Sequence, residues 1–282
     1  MRRAPLLLLT TGVGLMLLLS SCSQPVAPLD KTAATQLAAV GQSGDQMMYG
    51  MMDPTSTLTP ASVATSALTT AGLSAQPLSY CTSANYTKTG WGTDTDSDGI
   101  PDHATIQYAC STSGVTMSGT LTVQDKSGMY TGYTVTLSNF KLTALVSGQT
   151  YSLSANMTFD LSGSPSTTYT LDDSLDINAD FPGSSGSLSM SGHPTYTPDS
   201  ASDPFAAGTF TLDGQATFVA PNGKTYSVTR KGQNLHFDKA NTTCTTDFDA
   251  GTVTYVDGQG NTLELAYTCG AVTATYNGGP LP

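Results

Sequence analysis

The chain is short of the residues that recognise nucleic acid. It carries 10 Lys and Arg against 21 acidic residues, for a net charge of -11. Phosphate backbones demand a basic footprint, so nucleic-acid partners are not expected. Glutamate is almost missing: Glu264 stands alone, and every other acid is an aspartate. Glutamate suits helix interiors, whereas aspartate suits turns and calcium loops. Signatures of catalysis are also wanting. There is no G-x-S-x-G elbow and no H-E-x-x-H pair, and His103, His193 and His236 are scattered. No C-x-x-C spacing points to zinc. After residue 21 no apolar run reaches the ~20 residues of a membrane-spanning helix.

What is present begins at the N-terminus. Met1-Arg2-Arg3 is a positive start, and Pro5 to Leu19 form an uncharged apolar stretch after it. That is the layout of an export signal. Leu19-Ser20-Ser21-Cys22 then resembles the bacterial lipobox: an aliphatic residue, two small ones, and cysteine. The resemblance implies a signal peptide over 1–21, a diacylglyceryl thioether on Cys22, and a mature chain held to a membrane by lipid. Each buried methylene contributes ~0.8 kcal/mol, so two or three acyl chains anchor stably. Ser23, where some diderm lipoproteins have Asp, implies the outer membrane over the inner. The expected location is the extracytoplasmic cell envelope.

Four cysteines remain: Cys81, Cys110, Cys244 and Cys269. An even number in an oxidising compartment predicts two disulfides. Three pairings are open, and the local ones, Cys81–Cys110 and Cys244–Cys269, are favoured. Each would close a loop of about 25–30 residues, stabilising by roughly 3 kcal/mol in the chain-entropy picture.

Residues 22–75 differ from the remainder of the chain. Ser23 to Leu29 read as a tether. Asp30 is placed to cap a short helix over Lys31 to Val40, with another turn or two over Gln46 to Met52. Asp53 to Thr70, rich in Thr, Ser, Pro and Ala, read as a linker. Met47, Met48, Met51 and Met52 could offer soft sulfur to Cu(I), but such clusters are more commonly core.

From residue 76 to 282 the period is two. Val115, Met117, Leu121 and Val123 alternate with Thr and Ser. Tyr151, Leu153, Ala155, Met157, Phe159 and Leu161 do the same, as do Phe210, Leu212, Ala216 and Phe218, and Leu263, Leu265, Tyr267 and Cys269. One face apolar and one polar describes antiparallel strands over a core. Between Leu137 and Phe140 the phase slips, which predicts a bulge at Ser138-Asn139. Asn222-Gly223 and Asp257-Gly258-Gln259-Gly260 read as hairpin turns, with Gly128 and Gly148 as further breaks. The expected fold is mainly β: roughly ten to twelve strands in meander order, forming a sandwich or curled half-barrel. Tyr and Cys recur in Tyr108-Ala109-Cys110 and Tyr267-Thr268-Cys269, hinting at a duplication between 76–160 and 206–282. Asp172, Asp173, Asp176 and Asp180 are expected on a solvated strand face and its turns.

One motif carries chemistry: Asp94-Thr95-Asp96-Ser97-Asp98-Gly99-Ile100-Pro101-Asp102. Ca²⁺ takes 6–8 oxygen ligands at ~2.3–2.6 Å. Alternate aspartates turn carboxylates inward as the chain wraps an ion, and Gly99 permits the sharp turn. The stretch resembles the EF-hand-like loops of thrombospondin type 3 repeats. That resemblance implies a structural calcium site built from Asp94, Asp96, Asp98, the Ile100 carbonyl and Asp102. Thr105 stands where a final acidic ligand would sit, leaving one coordination position for water or a distant group. The expectation is a non-enzymatic envelope lipoprotein with a structural calcium ion that binds a partner protein or contributes to the surface. Carriage of a hydrophobic ligand in a curled sheet is an alternative, and a secreted hydrolase a third.

Overall fold

The computed structural model describes residues 26–52 and 86–281, apart from 113, 147, 182–183, 242–243 and 245–247. Cys22, Cys81 and the linker after Asp53 lie outside the described residues.

A single helix, α1 (Lys31–Met51), precedes β1 (Tyr86–Thr89), β2 (His103–Thr112), β3 (Val115–Asp125), β4 (Tyr133–Val146) and β5 (Gln149–Ser162). Next come β6 (Tyr169–Phe181), β7 (Ser184–Gly192), β8 (Thr195–Pro198), β9 (Ala207–Val219) and β10 (Thr225–Asp238). The last are β11 (Ala250–Asp257), β12 (Thr262–Thr268), β13 (Ala271–Tyr276) and β14 (Gly279–Pro280). They form one 14-stranded antiparallel sheet in meander order, except that β7 and β8 together fill the space between β6 and β9. The strands beyond the expected number are short: β8 has 4 residues and β14 only 2, too few to show an alternation.

The expected periodicities hold. In β6, buried and exposed residues alternate along its whole length. Asn139 takes a left-handed φ of 53°, and the β4–β5 register shifts between Leu137 and Phe140, so the predicted bulge is present. Gly223 supplies the positive φ of the β9–β10 turn. Two readings need correction. β12 ends at Thr268, so Cys269 lies exposed in a turn and not on the apolar face. Asp173 points to the buried face, only 9% exposed, whereas Asp172, Asp176 and Asp180 are exposed as expected.

The sheet curls around α1. The helix contacts two pairs of neighbouring strands, β6 with β7 and β12 with β13, and these pairs are far apart in the strand order. Asp30 caps it, accepting a bond from Ala33 N at 2.9 Å. The helix then continues through Gly41 and Gly44, where the sequence predicts two short segments. A Cβ on Gly41 would lie 2.8 Å from Tyr255 Oη, and one on Gly44 would lie 2.5 Å from Met190 Cε. Glycine therefore lets the helix approach the sheet closely, and packing offsets its poor helix propensity. Met47, Met48, Met51 and Met52 are all buried in the core, so they fill the concave face.

The two ends of the half-barrel differ. At one, the turn rim, short hairpins join β4 to β5, β9 to β10 and β11 to β12. At the other, the loop rim, lie the long connections 90–102, 126–132 and 239–249. The chain enters at the turn rim: Ala27 N donates to Thr225 O at 2.9 Å, and Leu29 N to Asp257 Oδ2 at 2.7 Å. α1 ends at the loop rim, where Tyr133 Oη and Lys239 Nζ donate to the carbonyls of Met51 and Met52. Those bonds satisfy acceptors that a helix end leaves open.

The middle of the concavity holds charge. Asp45 on α1 is fully buried, and Arg230 on β10 is 2% exposed. Arg230 Nη2 donates to Asp45 Oδ1 at 2.5 Å, and Tyr267 Oη donates to Asp45 Oδ2 at 2.6 Å. Asp173 Oδ2 lies 3.5 Å from Arg230 Nη1. A cross-strand row explains the reach: Asp173, Gly192, Gly214 and Arg230 are successive register partners. Two residues without side chains separate the ions, so the guanidinium has room between them. Buried ion pairs seldom add net stability over an apolar core, but they are costly to break.

Candidate metal centre

The 90–102 connection is held as a loop by its own carboxylates. Asp102 N donates to Thr93 O at 2.8 Å and closes its base. Asp94 accepts from Ser97 N at 2.7 Å and from Gly99 N at 3.0 Å. Ser97 and Gly99 both adopt positive φ, 62° and 87°, which folds the chain back on itself. Asp98 Oδ1 accepts from Ile100 N at 2.8 Å. The Ile100 side chain, 4% exposed, pins the loop to the core.

Two further contacts reach the β3–β4 loop. Gly128 N donates to Asp96 Oδ2 at 3.1 Å, and Tyr130 N donates to Asp98 Oδ2 at 2.9 Å. Tyr130 O in turn accepts from Tyr169 Oη at 2.8 Å, and the Tyr130 ring meets Phe205 edge-on with centroids 6.1 Å apart. The acidic loop is thereby joined to the aromatic core of the loop rim.

Asp94, Asp96 and Asp98 each present one carboxylate oxygen, and these three oxygens lie within 4.8 Å of one another. Asp102 is arranged differently: its Oδ1 accepts from Thr95 N at 2.9 Å and Thr95 Oγ1 at 3.0 Å, bracing the loop. A residue not anticipated from the motif lies close by, outside the three-carboxylate cluster itself. Asp125, the last residue of β3, is brought to the loop by the β2–β3 register, which pairs His103 with Gln124. Asp125 N also donates to Asp102 O at 3.2 Å.

The electrostatics are those of crowded anions. Burial raises the Asp98 carboxyl; bonds from the Ile100 and Tyr130 amides oppose this, and Asp96 and Asp94 add to it. Asp125 is pushed up to about 7 by burial, then by the charges of Asp98 and Asp96. Lys126, the nearest cation in sequence, pairs with Asp160 and Ser162 instead. Asp96 Oδ1 and Asp125 Oδ1 are buried with no hydrogen-bond partner in the protein. A buried carboxylate oxygen without a donor is costly, and a cation satisfies it. The donor set is all oxygen, which suits a hard divalent ion such as calcium over zinc or copper.

A cavity of about 360 Å³ adjoins the loop, lined by Met52, Asp98, Ile100, Tyr130, Phe205 and Lys239. Of the predicted disulfides, Cys244–Cys269 is formed, with Cα atoms 4.6 Å apart. Cys110 is disulfide-bonded as well. Trp91, at the start of the loop, is half-buried, with Lys88 Nζ 4.8 Å from its ring centroid.

A second ionic group on the loop rim had no motif to announce it. His236 lies between Asp249, at 2.6 Å from Nδ1, and Asp199, at 3.0 Å from Nε2. Burial opposes charge on the ring, but the two carboxylates outweigh it and raise its pKa.

The chain matches no protein-family profile, no curated protein and no solved structure.

Proposed function

We propose that this chain is a lipid-anchored protein of the bacterial cell envelope, non-enzymatic, whose β domain is stapled at its loop rim by a structural calcium ion. The observation that carries the calcium reading is the convergence of Asp94, Asp96 and Asp98, together with the buried Oδ1 atoms of Asp96 and of nearby Asp125 that no protein donor satisfies. Asp94, Asp96, Asp98 and Asp125 would hold the ion, with the Ile100 carbonyl, and Asp102 would brace the loop. Asp125 takes the part of the distant group that Thr105 leaves open. When bound, calcium supplies charge neutralisation: carboxylates that repel one another become mutual ligands. The ion then ties the β1–β2 loop to the β3–β4 loop and through Tyr130 to the core.

The anchor reading rests on the lipobox-like Leu19-Ser20-Ser21-Cys22. A disulfide on the loop rim is consistent with an oxidising compartment. The role of the anchored domain is to bind an envelope partner or to form part of the surface.

The test is thermal unfolding with calcium and with chelator. Calcium at about 100 times its Kd adds ~2.7 kcal/mol, which raises Tm by about 5–10 °C for a domain of this size. Asp96→Ala abolishes the rise. Identical melts with calcium and with chelator would defeat the reading. For the anchor, Cys22→Ala is expected to move the protein from the membrane to the soluble fraction, and mass spectrometry of the native protein to show acylated Cys22.

A further inference from the structure

The two rims differ in charge. The loop rim carries Asp94, Asp96, Asp98, Asp125, Asp199 and Asp249. The turn rim is made of Asn222-Gly223-Lys224, Gly258-Gln259-Gly260 and Asn277-Gly278. Its Asp257 is buried, and its carboxylate is taken up by the amides of Leu29, Gln259 and Asn261. Asp30 at the start of α1 and Asp180 beside the β6–β7 turn are exposed at this end as well, against exposed Lys31 and Lys224. Two large apolar side chains stand exposed at this rim, Val26 at 58% and Leu145 at 57%. Met129, 55% exposed, is at the opposite rim beside the acidic loop.

The chain also enters at the turn rim. Ala27 is bonded to Thr225 at the foot of the β9–β10 hairpin, and Cys22 precedes Ala27 by five residues. Five residues reach at most about 18 Å. A 13-residue strand such as β6 spans up to about 40 Å at ~3.3 Å per residue. An anchor on Cys22 therefore brings the turn rim to the membrane and leaves the loop rim a strand length away. Laying the domain on its β6 side would press Asp172 and Asp176, on the exposed face of that strand, against the bilayer. Anionic headgroups repel such a face within the ~8 Å screening length.

We propose that the turn rim rests on the bilayer, with Val26 and Leu145 at the headgroups and Lys224 facing anionic lipid, while the acidic, calcium-bearing rim points away from it. This orientation rests on the lipid-anchor reading. It makes the loop rim the surface that meets calcium and other proteins.

The experiment uses the full lipidated chain in vesicles of phosphatidylethanolamine and phosphatidylglycerol that contain a nitroxide-headgroup lipid. A fluorophore is placed on Gln259→Cys at the turn rim or on Ser127→Cys at the loop rim, both exposed positions. Several-fold stronger quenching at 259 than at 127 is expected. Equal quenching, or stronger quenching at 127, would overturn the orientation while leaving the anchor intact. Absence of lipid on Cys22, with no co-sedimentation with vesicles, would end the anchor reading and the orientation with it. Amine footprinting of the chain without added thiols gives a second readout if the variants misfold. Vesicle binding is expected to protect exposed Lys224 several-fold and to leave exposed Lys231, in mid-strand, less affected. Unchanged labelling of Lys224 on vesicle-bound protein counts against the proposal.

Discussion

Asp125 lies close to the candidate site, yet it stands 23 residues beyond Asp102 at the end of an ordinary alternating strand. The aspartates of the motif are legible because their spacing is local. Asp125 is not, because only the β2–β3 register brings it to the loop. The same holds for Asp173, which sits beside Asp172 in sequence but on the opposite face, where Arg230 and Asp45 wait. His236 gains its partners from two loops, Asp199 just after β8 and Asp249 just before β11, so its behaviour is also a tertiary property. Its folded pKa is raised above the ordinary 6.5. The protonated ring, held by Asp199 and Asp249, therefore contributes stability that is fully present below pH ~6.5 and lost as pH rises through the folded value. With calcium saturating, urea unfolding of the native chain is expected to show a fall in stability as pH rises above about 6.5. His236→Gln, which bears no charge, is expected to reduce that fall. An equal fall in both proteins would show that the ring does not stabilise by this route.

Elements are legible wherever one face is wet. Alternation marks strands, Asn-Gly marks a turn, and a change of phase marks the bulge at Asn139. In sequence α1 divides into two pieces, because Gly41 and Gly44 look like breakers. Their reason is external: Tyr255 and Met190 come too close for a side chain. Glycines in this fold therefore divide by what they meet. At Gly44 the nearest atom to a new Cβ is Met190 Cε, the end of a flexible side chain. At Gly214 it is the Ser191 carbonyl oxygen, 2.3 Å away and fixed in the sheet. Gly44→Ala is expected to be close to neutral, since a helix gain of up to about 1 kcal/mol offsets the shift of Met190. Gly214→Ala is expected to cost about 1–3 kcal/mol by overpacking. Denaturant midpoints distinguish the two, and similar losses at both sites would contradict this division.

At the scale of the whole molecule, one sheet is organised around two unlike ends. At the turn rim the strands pass directly into tight hairpins, and Leu29 ties the entering chain to β11, donating to Asp257, and to β13, accepting from Tyr276 Oη. Backbone order there needs nothing beyond the ladder and its turns. The loop rim has long connections held to the core by single residues such as Ile100, Tyr130 and Phe248, and it carries the Cys244–Cys269 bridge and the acidic cluster. Long loops require ordering from other sources. Withdrawal of calcium is therefore expected to act locally, because repulsion among Asp94, Asp96, Asp98 and Asp125 is released by opening the loop while the sheet stays paired. Hydrogen exchange reads this directly. The amides of Ser97, Gly99, Gly128 and Tyr130, each bonded to a loop carboxylate, are expected to lose protection by tenfold or more in chelator. Leu29 and Asn261, bonded to Asp257 at the other rim, are expected to change far less. If protection is lost equally at both rims, calcium holds the fold as one cooperative unit; if the four loop amides do not respond, they are not organised by the ion at all.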